Sequence, residues 1–416
     1  MTTGGAERAS PSGLRALIAR VGPGYAPLAV VSRFPYAMMV VGVLTLAVSA
    51  RGSMQLGGLT SAMVGLGVAC FGPLIGAAAD RYGQRPTLLV LAAANSAALG
   101  LLAWVAYGGL PEWTLLLFAF LVGTTAPQTS PMSRTRLLGA IRSTVRTEDQ
   151  PKTLSTALAF ESAADEVVFV FGPVVVGLLA TVFGGWAPVT GAAILSLVFV
   201  SAFALHRTSA PAVSASERLA TLAPVRDLWR PELLLVVLGA TAVGLFFGST
   251  LTALTSFLRD RGIAEQAGLL YGVMGIGSAI LAIGVAWLPP RFSLRTRWFV
   301  FSGVTAAGTV LLQFVSDVPG MAWTLALTGI GIGPLLVTVF SLAAARTPEG
   351  RSATVMSMVG TGIMVGQSSA TAVTGLTAGE VGTAAAMALP LASAVLAVGA
   401  ALVNLVAFPG LRSQHN

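Results

Sequence analysis

Residues 72 to 86 read GPLIGAAADRYGQRP, a run in which an apolar segment gives way to a charged turn. Gly72 and Gly76 are four residues apart, so on a helix they form a strip of small side chains that lets a second helix approach closely. Asp80 comes at the end of the same helix, where its carboxylate can accept hydrogen bonds from the positive N-terminus of a neighbouring helix. The run therefore predicts two closely packed helices that meet near Asp80.

The turn that follows this helix is short and basic. Gly83 permits the backbone conformations that a tight turn requires. Arg81 and Arg85 stand on either side of it. Positive residues concentrate in the cytoplasmic loops of membrane proteins, so we expect this turn on the cytoplasmic side of a membrane.

The composition of the whole chain indicates a membrane protein. Of 416 residues, 55% are hydrophobic and only 10% are charged, and the mean hydropathy is +0.83. A soluble domain carries about 25% charged residues and needs them to cover its surface. Lipid solvates apolar side chains instead, and the 48 glycines suit helices that pack closely in lipid.

Single residues exclude several other classes of protein. Cys70 is the only cysteine, so no disulfide forms within the chain. His206 and His415 lie far apart and outside the apolar stretches, which argues against a metal centre. Lys152, the only lysine, follows a proline rather than the glycine of a phosphate-binding loop. We expect neither metal nor cofactor, and we find no nucleophile and base that would make the chain an enzyme.

A membrane-spanning helix needs about 20 mostly apolar residues. The longest polar connection, residues 206–231, divides the chain into halves at 27–205 and 232–408, with tails at 1–26 and 409–416. Each half holds six apolar stretches, and the twelve lie near residues 27–50, 55–78, 86–107, 112–138, 153–181, 185–205, 232–257, 267–288, 297–316, 320–345, 352–378 and 382–408. We predict an all-α membrane protein with twelve transmembrane helices in two six-helix halves.

The positive residues predict how these helices are oriented. Of the 24 lysines and arginines, 20 fall on one face of the predicted bundle and three on the other, and Arg33 lies inside the first span. The positive-inside rule then places both termini in the cytoplasm, with the chain in the inner membrane of a bacterial-type cell. Because the loops account for the net charge of +8, we expect no nucleic-acid partner.

The turn after the second span resembles motif A of the major facilitator superfamily, G-x-x-x-D-R-x-G-R-R, in sequence and in position. Gln84 departs from the first of the final basic pair, and residues 289–297 keep only the basic charge of a second copy. The resemblance covers residues 27–408 and implies the major facilitator fold, with the motif gating the conformational change rather than binding solute. The matching residues are Gly76, Asp80, Arg81, Gly83 and Arg85.

Three carboxylates stand within the predicted fifth span, where charge is costly and marks a functional site. Glu161 and Asp165 are four residues apart and share one helix face, while Glu166 lies about 100° further round. Two carboxylates on one face in a low-dielectric environment do not readily both ionise. They either carry a transported proton or form buried ion pairs with arginine, and the two interpretations are compatible.

The predicted fourth span offers arginine partners for these acids. Pro127 and Pro131 each remove a backbone donor and bend the helix, and broken helices in transporters line cavities. Arg134 is expected at the depth of Glu161, so we predict an Arg134–Glu161 pair, with Arg136 as the alternative. The arginine-to-glycine spacing of the family's antiporter motif B does not match here.

Arg33, before a proline in the first span, leaves two interpretations open. Its long side chain can reach back to the membrane interface, or it can face a cavity among the helices. The sequence slightly favours the interface, because Arg33 lies only about six residues into the span.

Residues 172–177, GPVVVG, resemble the antiporter motif C, whose core is G-P-x-x-G-G. Gly172, Pro173 and Gly177 fit, whereas Val176 departs. We expect Pro173 to kink the fifth span and Gly177 to allow close packing. The resemblance implies export, although an ordinary proline kink explains the same residues.

The resemblance thus implies a secondary transporter of the twelve-helix drug:proton antiporter type. We expect it to export drugs or small hydrophobic metabolites by alternating access. Proton-coupled uptake of a small nutrient is the alternative, and a membrane receptor or scaffold without transport is a second class. One acidic cluster among apolar walls suits a lipophilic or weakly cationic solute. One chain holds both halves, so a monomer suffices.

Overall fold

The computed structural model describes residues 13–209, 220–263, 266–289 and 291–408. Within these ranges the regular structure is entirely helical, which confirms the predicted all-α fold class. The predicted tail 409–416 lies outside the described residues, as do parts of the tail 1–26 and of the central connection 206–231.

The described N-terminal part of the chain consists of helices joined by short turns. Ser53 caps the helix that begins at Met54, because its hydroxyl accepts from the main-chain nitrogen of Leu56 at 3.2 Å. A π-helical segment, Ser196–Val200, separates the last two helices. The helices are α1 (Gly13–Val21), α2 (Tyr25–Val31), α3 (Phe34–Arg51), α4 (Met54–Tyr82), α5 (Gln84–Tyr107), α6 (Glu112–Thr124), α7 (Thr129–Thr144), α8 (Gln150–Phe183), α9 (Ala187–Leu195) and α10 (Ser201–Leu205).

The described C-terminal part is built in the same way. Short 3-10 turns precede its first helix at Val225–Trp229 and follow its second at Val285–Trp287. Asp317 caps the fourth by accepting from the main-chain nitrogen of Gly320 at 2.9 Å. The helices are α11 (Pro231–Arg259), α12 (Ala267–Gly284), α13 (Leu294–Leu312), α14 (Val318–Ala345), α15 (Ser352–Glu380) and α16 (Thr383–Ala407).

Eight helical segments of the described residues are long and apolar enough to cross a membrane. Each of the twelve predicted spans coincides, within a few residues, with one helix or with consecutive helices. The first span is α2 with α3, and the fourth is α6 with α7. The fourth, fifth, ninth and eleventh spans are interrupted or more polar than the other eight, so twelve crossings remain a prediction.

Two spans are interrupted at positions that contact each other. Residues 32–33 separate α2 from α3, and residues 125–128 separate α6 from α7. The second interruption contains Pro127, which cannot donate a helical hydrogen bond. The hydroxyl of Thr129 donates to the main-chain oxygen of Ser32 at 3.1 Å. The two interruptions therefore meet inside the protein.

Apolar side chains pack mostly within one half of the chain. Two clusters, around Leu102 and around Phe203, lie in the N-terminal half, and a third, around Trp298, lies in the C-terminal half. A few residues cross between them; Met364 joins the first cluster and Leu158 joins the third. Each half thus has its own core, and a few apolar side chains join the cores of the two halves.

The halves approach most closely where α4 packs on α15. A Cβ atom added to Gly76 would lie 2.6 Å from the main-chain oxygen of Ala353 and 2.8 Å from Cβ of Ser357. Gly72 faces Thr361 of the same helix in the same way. This is the close approach of a second helix that the two glycines predict.

Asp80 joins the halves at the end of α4. Its carboxylate accepts from the main-chain nitrogens of Ala353 and Thr354, at 2.9 and 2.7 Å, and from the Thr354 hydroxyl at 2.6 Å. These donors belong to the first turn of α15, whose N-terminus carries partial positive charge. Gly83 then turns the chain with φ of +96°. The helix-end contact and the turn expected from the sequence are both present.

Candidate functional site: a charged network beside a central cavity

A cavity of about 80 Å³ lies between the two halves, next to the interrupted spans. It has room for several water molecules. A space bounded by both halves is where alternating access places a solute. The cavity is lined by Arg33, Tyr36, Ala37, Pro127, Gln128, Thr129, Ser130, Pro131, Arg134, Asp165, Val168, Phe340, Gly360, Ile363, Met364 and Gln367.

Four charged side chains form a network on the N-terminal side of this cavity. Arg33 donates to the carboxylate of Glu161, and its Nη1 lies 3.1 Å from Oδ1 of Asp165. Arg134 Nη2 donates to Oδ2 of Asp165 at 2.6 Å. Two guanidiniums and two carboxylates balance, so the network is neutral when all four groups are ionised. Pairing of this kind is what allows ionisable groups to be buried.

Glu161 is sealed into the protein, with 0% of its surface exposed. Its Oε1 accepts from the Ser133 hydroxyl at 2.7 Å, and that hydroxyl lies 2.7 Å from the hydroxyl of Tyr25. Arg33 binds the other carboxylate oxygen and also donates to the main-chain oxygen of Glu161 at 3.1 Å. Both carboxylate oxygens of Glu161 are therefore paired, and the side chain does not line the cavity.

Among the described side chains that line the cavity, Asp165 supplies the carboxylate. Its side chain is 22% exposed. Besides Arg134, the Ser130 hydroxyl donates to its Oδ2 at 2.9 Å. A water molecule or solute in the cavity can therefore reach Asp165, whereas Glu161 is out of reach.

Arg134 touches both halves of the protein. Its side chain is only 1% exposed. Besides its pair with Asp165, it donates to the hydroxyl of Ser130, one turn earlier in α7. Its guanidinium lies over the ring of Phe340 in α14, 3.7 Å from the ring centre. A cation over an aromatic face is attracted by it, so Arg134 links the acid on α8 to the C-terminal half.

The buried polar atoms of the described lining that lack a partner are all donors. They are Nε of Arg33, Nε of Arg134 and Nε2 of Gln128. Buried donors without acceptors are costly. A ligand that brings acceptors would lower this cost.

The predicted Arg134–Glu161 pair is wrong. Glu161 forms its ion pair with Arg33. Arg134 pairs instead with Asp165, one turn further along the same face of α8. Of the two interpretations left open for Arg33, the membrane interface is wrong, because its side chain is 3% exposed. The position as a charge partner at the cavity is confirmed, because Arg33 pairs with Glu161 and lines the cavity. The interruption between α2 and α3 turns it inward onto α8.

Arg136 does not serve as the alternative partner of these acids. Its Nε donates to Oε1 of Gln84 at 2.9 Å, and its Nη1 donates to the main-chain oxygen of Phe203 at 2.6 Å. Its guanidinium also lies over the Phe203 ring, 3.8 Å from the ring centre. Gln84 is the residue that departs from motif A. Its neutral amide accepts from Arg136, where an arginine would repel it.

The remaining predicted residues of α8 have different surroundings. The side chain of Glu166 lies outside the part of the chain that is described. A Cβ on Gly172 would lie 2.9 Å from Cβ of Ala37 in α3, so this glycine permits a close contact. Pro173 lies inside α8. Nothing lies within 4 Å of a Cβ on Gly177, so the close packing predicted there is wrong.

The two motif A arginines lie away from the contact between the halves. Arg81 and Arg85 are both exposed, and the guanidinium of Arg81 lies 5.3 Å from the ring centre of Tyr82. Of the residues predicted to gate, Gly76 and Asp80 are the two whose contacts with the second half are described above.

Several residues of the site were not singled out from the sequence. Ser130 precedes Arg134 by four residues, a helical spacing that would have identified it. Ser133 and Tyr25 can be recognised as part of the site only from the position of Glu161 in the structure, because they reach it through hydrogen bonds. Phe340 is an ordinary apolar residue of the tenth predicted span, and no signal in the sequence marks it.

Comparison with known proteins agrees with this architecture. The family model described as Major Facilitator Superfamily matches residues 25–371. No curated protein matches the chain at a significant level.

Three solved structures with similar folds are distant from this chain in sequence. A bacterial homologue of the iron transporter ferroportin, in an outward-facing state with soaked iron, aligns with a TM-score of 0.70 at 15% identity over 91% of this chain and 97% of that one. The human organic anion transporter MFSD10 (TETRAN) gives 0.65 at 15% identity, over 94% and 100% of the two chains. The E. coli fucose:proton symporter FucP gives 0.59 at 15% identity, over 93% and 99%.

These likenesses show the fold, and their solutes belong to those proteins alone. The family model covers most of the chain, and the described helices, the contact between the halves and the motif A turn agree with it. The chain belongs to the Major Facilitator Superfamily and is a multi-pass membrane protein with the fold of a transporter.

Proposed function

We propose that this protein is a proton-coupled secondary transporter in which Asp165 binds the proton. The observation that carries the proposal is the position of Asp165 on the cavity wall between two guanidiniums. Arg33 and Arg134 hold it at 3.1 and 2.6 Å, and 22% of its side chain is exposed. Glu161 is fully buried and serves to keep Arg33 in place.

Protonation of Asp165 has a structural consequence because the network is neutral. Once the carboxylate is neutral, Arg134 has no other acid among the described lining side chains. An unpaired charge in a buried site is strongly unfavourable. Arg134 also lies over Phe340 of the opposite half. The charge left unpaired on Arg134 therefore lies at a contact between the halves, and its cost differs between the access states, which is how a bound proton would favour one of them.

Export by exchange for protons is the direction implied by the resemblance to antiporters. Its support is the Gly172–Pro173 pair in α8, in which Gly172 lies close to Ala37 of α3 and Pro173 lies inside the helix. The cavity walls are mostly apolar, as drugs or small hydrophobic metabolites require. In this mode a lipophilic or weakly cationic solute and the proton compete for Asp165. The two then cross in opposite directions.

Co-transport of solute and proton is the second candidate, and one observation favours it. Both Arg33 and Arg134 border the cavity beside Asp165. Two guanidiniums repel a cation that approaches this carboxylate. A solute that accepts hydrogen bonds from Arg134 instead requires Asp165 to be protonated first, so proton and solute bind together.

For the membrane location, we propose the inner membrane with both termini in the cytoplasm. The support is the division of positive residues, 20 on one predicted face and three on the other. A monomer is proposed because one chain supplies both sides of the cavity.

Flux in proteoliposomes under an imposed pH gradient tests the coupling. Two radiolabelled probes of fixed charge are compared, benzyltrimethylammonium for exchange and benzenesulfonate for co-transport. Asp165→Asn should abolish the response of flux to the gradient while the protein still elutes as a single folded species. Glu148→Gln, which breaks an exposed pair with Arg146, is the matched control. Gradient-driven flux of wild-type size in Asp165→Asn would contradict the proposal.

A further inference from the structure

The charge balance of the network identifies a class of solute. With all four groups ionised, the charges of Arg33, Arg134, Glu161 and Asp165 cancel. When Asp165 takes a proton, Arg33 keeps Glu161, and Arg134 is left without a counter-ion among the described side chains. The C-terminal half contributes no ionisable group to the described lining. The missing negative charge then has to come from the solute.

We propose that the solute is a small monoanion with an apolar body, whose oxyanion replaces Asp165 on Arg134 when Asp165 is protonated, so that one proton and one anion bind together. This inference rests on the proposed proton coupling at Asp165 and selects co-transport over exchange. The solute class covers carboxylates and other oxyanions, because guanidinium binds each through the same paired donors.

The unpartnered donors of the site point to the same class. Nε of Arg33, Nε of Arg134 and Nε2 of Gln128 are buried without an acceptor, and the three side chains are at most 3% exposed. An oxyanion offers several lone pairs and no donors. A cationic solute without an oxyanion would bring no such acceptor to a site that lacks acceptors.

Arg134 has two contacts besides its pair with Asp165. Ser130 accepts from its guanidinium, and Phe340 lies 3.7 Å beneath it. These contacts remain when the Asp165 carboxylate becomes neutral. The guanidinium therefore stays at the cavity wall as a preformed oxyanion site rather than following Asp165 away.

The rest of the cavity wall indicates the chemistry of the uncharged end of the solute. Val168, Phe340, Ile363 and Met364 contribute apolar surface from both halves. Burying apolar groups against such walls is favourable. The solute is therefore expected to carry its charge at one end, toward Arg134, and a hydrocarbon body toward α14 and α15.

Coupling follows from electroneutrality. The empty network and the network with proton and anion bound have the same net charge, zero. A network with the proton alone carries one positive charge, and one with the anion alone carries one negative charge. Closing the cavity around either singly loaded form buries an uncompensated charge, which is strongly unfavourable. Only the empty and the doubly loaded forms change access readily.

Binding of three probes to the purified full chain in detergent tests this inference. Benzenesulfonate, benzyltrimethylammonium and benzyl alcohol share a benzene ring and are respectively anionic, cationic and neutral. None of them titrates near neutral pH, so a proton exchanged on binding belongs to the protein. Calorimetry measures affinity, and a pH indicator in weak buffer counts the protons.

We expect benzenesulfonate alone to bind, with uptake of about one proton for each anion and an affinity that falls about tenfold per pH unit on the alkaline side. Asp165→Asn should bind it without proton uptake and without pH dependence. Arg134→Gln should weaken binding at least tenfold, whereas Arg146→Gln, which removes an exposed paired arginine, should leave it unchanged.

Four results would overturn the inference. They are preferential binding of benzyltrimethylammonium, absence of benzenesulfonate binding, wild-type affinity in Arg134→Gln, and proton uptake that persists in Asp165→Asn but disappears in Glu166→Gln. A different result would contradict the proposed function, namely pH-driven flux that survives in Asp165→Asn. If only the inference fails, that flux still depends on Asp165, and the preferred probe is the cation or the alcohol.

Discussion

A methyl group added at Gly76 should weaken the contact between the halves. A Cβ there would lie 2.6 Å from the main-chain oxygen of Ala353, and ordinary contact begins at 3.4 Å, so α4 and α15 must separate by about 0.8 Å. Overpacking of this size costs about 1–3 kcal/mol. Since 1.4 kcal/mol corresponds to about a tenfold change in an equilibrium constant, Gly76→Ala should shift the ratio of closed to open contact by about 5- to 150-fold.

Pulsed electron resonance between two spin labels measures this shift. The labels go on cysteines at the exposed positions Tyr82 and Glu349 in a Cys70→Ser background, one on each half. Gly76→Ala should move the distance distribution to longer values. Gly177→Ala is the matched control, because nothing lies within 4 Å of its added Cβ. An unchanged distribution in Gly76→Ala, or an equal shift in Gly177→Ala, would refute the account of the α4–α15 contact.

Three further predictions concern single ionisable groups. Asp80→Asn loses charge-assisted bonds to the first turn of α15, each worth about 1.5–3 kcal/mol, and should lengthen the same label distance, whereas Asp317→Asn, which caps α14 within one helix, should not. Glu161→Gln leaves Arg33 with Asp165 as its remaining partner and should lower the free energy of unfolding by about 3–5 kcal/mol, measured as a lower melting temperature. The double variant with Arg33→Gln should recover part of that loss. If it recovers none, the Arg33–Glu161 pairing is contradicted. Burial, with the positive charges nearby, lowers the pKa of His206 below its ordinary 6.5. Because the folded state then binds fewer protons than the unfolded state, thermal stability should fall as the pH drops through about 6.5. His206→Gln should remove that part of the pH dependence of the melting temperature.

Much of the fold is readable from the sequence because a membrane imposes simple requirements. The length of each apolar stretch gives the helices, and every predicted span coincides with one or two of them. The motif A turn predicts a specific contact as well. Gly76 and Asp80 meet α15 as the spacing implies, because both residues act through local helix geometry.

The site was predicted in its members but not in its pairing. Arg33, Arg134, Glu161 and Asp165 stand out because charge inside a membrane is costly. Their pairing depends on how the interruptions rotate α3 and α7 toward α8, and rotation is not encoded in residue spacing along one span. In the structure Arg33 pairs with Glu161 and also contacts Asp165, and Arg134 pairs with Asp165.

The C-terminal contribution to the site gave no signal in the sequence. Phe340 and Met364 are ordinary apolar residues among many in their spans. They matter because the two halves bring them to the cavity, and such contacts between distant segments follow from packing rather than from pattern. Gly177 illustrates the converse, since it fits a family motif and packs against nothing.

Infrared difference spectroscopy of the purified protein between acid and alkaline pH tests the central claim most directly, because the stretching band of a protonated carboxyl group reports which acid titrates. The account predicts that the band formed on acidification of the wild type contains a component that is lost in Asp165→Asn and retained in Glu148→Gln. A band that persists unchanged in Asp165→Asn would contradict the assignment of the proton to Asp165.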